Sequence, residues 1–429
     1  MPPSKISPMQ PLVVPRAEHS LSRRDIDPDA LKVLYRLKEA GFKAYLVGGG
    51  VRDLLLGRRP KDFDIGTSAH PYQVKKLFRN CFIIGRRFRL AHVKFGNKAI
   101  EVATFRRQVS ADEAAAAESA AAEAPPSPEH GHIVHRDNSF GTDEEDAFRR
   151  DFTINALFYD IATFSIIDYV GGIGDLRARV IRSIGEPDVR FSEDPVRMQR
   201  AVSFAARLDF SLDTPVADTI TRLGSHLALA APARLMDEYH KILRSGAAER
   251  TFAALRAAGL LGALSRVLND GAATDNLPSS LARLDAFRQT FKTMPESLTN
   301  AILLGSLVVP LGFSPAGWPA WLEEEGRPGL NLGVVPLARR DLERMHQVLM
   351  LQRRLREPSR SASARRMLMQ RAAFSEALTW LEIHGNSPEV LTFWREQLGT
   401  TPQNSAEEGP RRRRRRFGRR RPRKPDPAP

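Results

Sequence analysis

At 429 residues the chain exceeds what a single hydrophobic core serves, and two or three domains are expected. An apolar content of 42 % suits a soluble globular protein, and the longest apolar stretch, 301–313, is interrupted by Pro310 and too short to span a bilayer. The Pro-rich residues 1–20 lack the apolar segment of a secretory signal and Cys81 has no second cysteine to pair with, so the expected location is the cytoplasm, with no membrane.

Charge is unevenly placed. The 65 Lys and Arg outnumber the 50 Asp and Glu by 15, and residues 411–429 alone hold eleven cations and one anion. Such a tail buries too little to fold and is expected to be disordered. Its functional reading is sequence-independent binding to a phosphate backbone through counterion release, with strong salt dependence. A solubility tail or an anionic membrane surface are the alternatives, and no amphipathic helix adjoins it to favour the membrane.

Along the chain, residues 1–27 read as a flexible leader. A helix follows at 29–40, with Leu31, Val33, Leu34 and Leu37 as its apolar stripe. Lys43 to Val47 reads as a strand and Val51 to Leu56 as a helix, with three glycines between. Asp62 and Asp64 fall on a strand, and Pro71 opens a helix to about Arg79. Strands are predicted at 82–84, 91–95 and 99–105, the last two joined by a turn at Gly96-Asn97-Lys98, giving a small sheet of about five strands. Residues 110–132 are a low-complexity, Ala-rich insertion read as a mobile surface excursion. From Asp188 onward helical periodicity dominates, and Trp318, Trp321, Trp380 and Trp394 read as packing residues of that helical half. The expected domains are a head at 28–187, a helical nucleotide- and RNA-binding neck at 188–250, a helical body at 251–400 and a basic tail at 401–429.

The chemistry gathers at the glycines and the two aspartates. If Phe63 and Ile65 point into a core, strand geometry turns both carboxylates to the opposite face, about 7 Å apart along the chain. Two like charges held so close ask for a cation, and magnesium takes one or two carboxylates completed by water and substrate phosphates. The order strand, glycine turn, helix aims backbone N–H groups at an anion, and Arg52, one turn in, offers a forked donor to a phosphate. A glycine turn alone is often only a permissive backbone, and an isolated Asp-x-Asp a solvated strand face. Their occurrence within seventeen residues, Gly48 to Asp64, points to a nucleotide site.

Two further clusters carry candidates. Arg149-Arg150-Asp151 opens an apolar run, and reads either as a helix start with Asp151 at the positive dipole end, or as a phosphate and ribose contact beside the metal pair. Ser192-Glu193-Asp194-Pro195 reads as the start of a helix on which Asp194, Arg197 and Arg200 are neighbours at three-residue steps. That pattern is either an ion-pair ladder or a carboxylate and fork that hydrogen-bond a base edge.

Gly48-Gly49 with Arg52 and Asp53, Asp62-Phe63-Asp64, Arg149-Arg150-Asp151, and Glu193-Asp194 with Arg197 and Arg200 together resemble the class II nucleotidyltransferases. That family comprises bacterial poly(A) polymerases and the enzymes that add CCA to transfer RNA. The run from Ile83-Ile84-Gly85 through Arg86, Arg87, Phe88 and Arg89 to Leu90-Ala91-His92-Val93 looks like the poly(A) polymerase signature, as does Pro232-Ala233-Arg234-Leu235. An Arg-rich tail is similar to that of bacterial poly(A) polymerases. The resemblance covers about residues 40–245.

The resemblance implies an α+β fold, with a polymerase-β-like head built on a small mixed sheet, an all-helical body and a disordered basic tail. It implies ATP as substrate with two Mg²⁺ ions held by Asp62 and Asp64, one activating an RNA 3′ hydroxyl and the other escorting pyrophosphate. Gly48, Gly49 and Arg52 would hold the triphosphate, Arg150 and Asp151 the sugar-phosphate region, and Asp194 with Arg197 the adenine, with Arg200 nearby. Asp151 is the expected third catalytic carboxylate, and Glu101 is its rival. Where many members carry a further Arg, this chain has Ser203, which weakens base or phosphate contacts from that turn. The implied activity is template-independent addition of AMP to RNA 3′ ends, in the service of RNA decay. CCA addition and a catalytically inactive RNA-binding protein are the alternatives. Expected partners are RNA 3′ ends, ATP and, through the tail, RNA-decay proteins.

Overall fold

A computed structural model describes residues 10–85, 89–107, 139–313, 332–334, 337–357 and 361–400. The low-complexity insertion, the basic tail, Trp318 and Trp321 lie outside the described residues.

The head is an eight-stranded mixed sheet, larger than the five strands expected. Its strands are β1 (Leu12–Val14), β2 (Ala44–Val47), β3 (Ile65–Thr67), β4 (Cys81–Ile84), β5 (Leu90–Phe95), β6 (Lys98–Thr104), β7 (Leu157–Asp160) and β8 (Ser165–Asp168). They lie in the order β1-β8-β7-β2-β3-β6-β5-β4. β3 pairs with β6 in parallel and the other neighbours are antiparallel. The β5–β6 hairpin turns at Gly96-Asn97, with Gly96 at φ +60°, as its sequence indicates.

Two expectations need correction. The first strand falls in the supposed flexible leader: Leu12–Val14 pairs with β8, and Leu21 and Ile26 are buried. The Pro-rich flank masked a strand of only three residues. Asp62 and Asp64 were expected on a strand, but β3 begins at Ile65. The carboxylates therefore lie in the segment entering it, with the Asp64 carbonyl accepting a bond from the Val47 N–H at 3.0 Å.

Period-two alternation assigns the two faces of the sheet. Ala44, Leu46, Ile65, Ala91, Val93, Ile100 and Val102 enter the main core, over which helices Pro28–Glu39 and Pro71–Leu77 pack. Tyr45, Val47 and Phe158 point the other way, into a small second cluster with Phe105, Ala147 and Ile184. Asp64 and Glu101 belong to this second face.

Beyond residue 187 the described residues are almost entirely helical, apart from the two-residue strand Ser211–Leu212 paired in parallel with Val180–Ile181. The Asn300–Val308 helix is buried from Ala301 to Val308. Gly305 makes room for Trp380, whose Cζ3 would stand 2.5 Å from a Cβ there. Trp394 is fully buried and donates its Nε1–H to the Leu355 carbonyl at 2.9 Å, so both described tryptophans are packing residues. No described helix is long and apolar enough to cross a membrane.

Beside Trp380, His384 is 2.8 Å from the Ser306 hydroxyl, and burial, aided by the Arg283 charge, lowers its pKa to about 3. The unfolded chain binds this proton near pH 6.5, whereas the folded chain refuses it until about pH 3. Stability is thus present above 6.5 and lost as pH falls through that window. Between pH 7 and 5, wild type is expected to lose up to about 2 kcal/mol more than His384→Gln, read from urea midpoints. Parallel pH curves for the two proteins would rule this out.

Candidate active site

β2 and β3 run antiparallel with Leu46 opposite Ile65, which brings the chain leaving β2 at Gly48 beside the chain entering β3 at Asp62 to Asp64. Gly48 has φ +71°, and a Cβ on it would stand 2.8 Å from the Arg150 guanidinium, so backbone and neighbour both require glycine. Helix Gly49–Leu55 follows, with no side chain capping its start. Parallel pairing of β3 with β6, Ile65 opposite Val102, places Glu101 next to Asp64.

Three carboxylates therefore share one neighbourhood. Burial, then the charges of Glu101 and Asp62, push the Asp64 pKa up to about 6, against the opposing pull of Arg150 and Lys61. Burial and Asp62 raise Glu101 as well, with Arg106 opposing. Asp62 is exposed and pairs with Lys61 at 3.2 Å. The donor set is all hard oxygen and short of positive charge, which fits magnesium. Among the described residues no three such side chains close into a ready-made cage. A magnesium site that leaves room for water and substrate phosphate has that openness.

Asp151 stands elsewhere. Its carboxylate pairs with the Arg200 guanidinium at 2.6 Å and accepts bonds from the Phe152 N–H at 2.9 Å and the Asn155 amide at 3.1 Å. Burial would raise its pKa, but Arg200 and these hydrogen bonds outweigh it and bring it down to about 2. Asp151 is also absent from the charges that raise Asp64. It follows helix Asp143–Phe148 and precedes a single 3₁₀ turn, Thr153–Asn155, so it does not start a helix.

Arg52 is 2 % exposed, so its charge needs partners. Nε and one terminal nitrogen donate to Asp53 at 2.8 and 2.7 Å, the other terminal nitrogen reaches the Asn155 side-chain oxygen, and the plane lies 5.1 Å from the Phe204 ring centre. Arg150 donates to Asp146 and to the Asn155 carbonyl. Asn155 thus ties Arg52, Arg150 and Asp151 together, a role the sequence reading missed. The available signal was one amide inside an apolar run. Buried Arg190, also missed, donates to the carbonyls of Arg149 and Arg150 at 2.8 and 2.9 Å, fastening that turn to the neck.

The expected helix start at Ser192 is instead a break. Helix Pro187–Glu193 runs through Ser192 and ends at Asp194, and helix Val196–Leu208 begins after Pro195 with no side-chain cap. The three-residue ladder is correspondingly loose. Arg197 pairs with Glu193 at 3.1 Å and stands 4.0 Å from Asp194, Asp194 takes a bond from Arg234 at 2.7 Å, and Arg200 turns to Asp151 and Glu238. Ser203 donates back to the Gln199 carbonyl of its own helix at 2.7 Å.

Residues 44–182 match the family model described as the poly A polymerase head domain, and residues 209–270 match the one described as the probable RNA and SrmB-binding site of polymerase A. Poly(A) polymerase I of Salmonella typhimurium is 54 % identical over 244 residues, 57 % of this chain and 51 % of that protein. The Haemophilus influenzae poly(A) polymerase I is 45 % identical over 258 residues, covering 60 % and 55 %. The CCA-adding enzyme of Lactobacillus helveticus is 37 % identical over 218 residues, covering 51 % and 50 %. The chain thus spans about half the length of the curated relatives it matches. Among solved structures, the Bacillus stearothermophilus CCA-adding enzyme in complex with CTP superposes with a TM-score of 0.59 at 28 % identity, covering 87 % of this chain and 83 % of that one. A nucleotidyltransferase head followed by a helical body is therefore the architecture here, as the sequence resemblance implies.

The two candidate third carboxylates differ in their expected effect on stability. Glu101→Gln removes a like charge beside Asp64 and is expected to leave stability unchanged or slightly raised. Asp151→Asn removes one of the two carboxylates that neutralise buried Arg200, leaving it Glu238 alone, and is expected to cost about 3 kcal/mol. Denaturant unfolding of both variants at pH 7 measures the difference, and equal losses would refute it.

Proposed function

We propose that this chain adds AMP from ATP to RNA 3′ ends without a template, releasing pyrophosphate. The observation carrying this reading is the crowding of Asp62, Asp64 and Glu101 in a poly A polymerase head domain, with Arg150 acting on the same charges. Asp62 and Asp64, joined by Glu101, are the oxygen ligands for magnesium. The chemistry magnesium supplies there is Lewis acidity toward the attacking 3′ hydroxyl and the leaving pyrophosphate. Arg150 and Lys61 attract the triphosphate, with Gly48 and Gly49 admitting it close to the backbone. Arg52, held by Asp53 and Asn155, braces this turn from beneath. Asp151 is a positioning residue: it holds Arg200, and through Asn155 it sets Arg52 and Arg150. Asp194 and Arg197, at the break between two neck helices, present a carboxylate and a fork to the adenine edge, with Arg234 fixing the carboxylate. RNA enters across the neck, and the basic tail adds affinity and offers a site for RNA-decay proteins, with the cytoplasm as the place of action.

CCA addition is the second reading, favoured by the Lactobacillus enzyme and by the Bacillus superposition. The chain incubated with Mg²⁺, a generic RNA and each nucleoside triphosphate in turn is expected to build long A tracts from ATP alone. A product ending after C, C, A on transfer RNA only would reject it. Asp62→Ala and Asp64→Ala are each expected to lose at least about a thousandfold in rate, and wild-type polymerisation by either would overturn the metal assignment.

Deleting residues 411–429 is expected to flatten the plot of log affinity for RNA against log salt. Every phosphate that the tail no longer neutralises lowers the slope by about 0.7. An unchanged slope would remove the tail from RNA binding.

A further inference from the structure

The alternation that turns Asp64 and Glu101 away from the core continues to the edge of the sheet. Glu101 on β6 is opposite His92 on β5, and His92 is opposite Phe82 on β4. Cross-strand partners share a face, so Asp64, Glu101, His92 and Phe82 form one row over the second face. Three strand spacings of about 4.8 Å put Phe82 about 14 Å from Asp64. Ile84, Leu90 and Lys94 flank the row on the same face.

Among the described residues this part of the sheet is open. The second cluster covers only the β2–β7–β8 half, while Phe82 is 54 % and Ile84 49 % exposed. Cys81 on the same strand is buried, so the exposure belongs to one face and not to fraying of an edge strand. The Lys94 ammonium lies 5.1 Å over the Phe82 ring, and the His92 ring stands 3.7 Å from the Glu101 carboxylate. An exposed aromatic with a cation on its face, in line with a polymerising site, has the composition of a single-strand platform, where a base stacks on the ring and a phosphate meets the charge.

We infer that the open face of β4 and β5 seats the unpaired bases just behind the RNA 3′ end, with Phe82 as the stacking residue and Lys94 as the phosphate contact. The occupant follows from continuity with the carboxylates, where the terminal hydroxyl must lie, and from the sign of Lys94. The inference rests on the RNA-extending function proposed above.

The test is equilibrium binding of a short 5′-fluorescein oligoadenylate to the full chain, without ATP, alongside the KM for ATP. Phe82→Ala is expected to weaken oligoadenylate binding about tenfold or more. Phe82→Tyr is expected to restore it, and Lys94→Gln to weaken it and lower the salt slope by about 0.7. A 5-iodouridine placed a few nucleotides from the 3′ end is expected to cross-link to Cys81–Ile84 or Leu90–Phe95. Wild-type binding by Phe82→Ala, a matching rise in the KM for ATP, or sedimentation showing that the face instead joins two copies of the chain would each overturn the assignment. If the chain extends no RNA but its oligoadenylate binding still depends on Phe82, the proposed function fails and the platform stands. Extension of RNA with binding indifferent to Phe82 gives the reverse.

Discussion

Mutual repulsion of Asp62, Asp64 and Glu101 is the constraint around which the head is arranged. Side chains this close in charge separate unless the backbone forbids it, and here it does. The parallel β3–β6 pairing fixes Glu101 next to Asp64, and the β2–β3 register brings the Gly48 turn alongside. The result is a carboxylate with its pKa near 6, a store of electrostatic free energy that a divalent cation with a triphosphate would relieve. The cations nearest that store are the ones a polyphosphate would meet.

A second arrangement, of opposite character, supports it from below. Asp151, Arg200, Glu238, Arg52, Asp53 and Asn155 are mostly buried and mutually satisfied, and the rings of Phe204 and Phe158 lie under guanidinium groups. This network crosses from head to neck, since Arg200 and Arg190 rise from neck helices and bond to groups in the head. Hence Asp194 and Arg197 of the neck and the carboxylates of the head share one framework. Moving Asp194 and Arg197 relative to Asp64 means breaking buried ion pairs, which is costly.

The parts of this organisation legible in the sequence were those with local periodicity or local chemistry. The helix at 28–39, the glycine turn, the β4–β5–β6 strands and the helical body follow from patterns within about a dozen residues. The failures are long-range. β1 is three residues in a Pro-rich stretch and becomes a strand only through pairing with residues more than 150 positions later. Asp151 reads from its neighbours as a site carboxylate, and only the folded chain shows Arg200, 49 residues away, holding it. Glu101, named as the rival third carboxylate, has no local mark of its own beyond lying on a strand, and its place beside Asp64 comes from parallel pairing, which adjacent sequence does not reveal. Asn155 is in the same position, one residue whose side chain joins Asp151 to Arg52, 103 positions earlier, while its carbonyl takes Arg150.

The pairing of Leu12–Val14 with Asp168–Ile166 also sets an order of events during synthesis. β1 leaves the ribosome before the other strands of this sheet yet pairs last, because β8 emerges some 150 residues behind it, roughly eight to thirty seconds at about 5–20 residues per second. Through that interval the nascent head carries an incomplete sheet and a loose amino-terminal arm. An arm left waiting this way is exposed to capture by chaperones or neighbouring chains until its mate arrives.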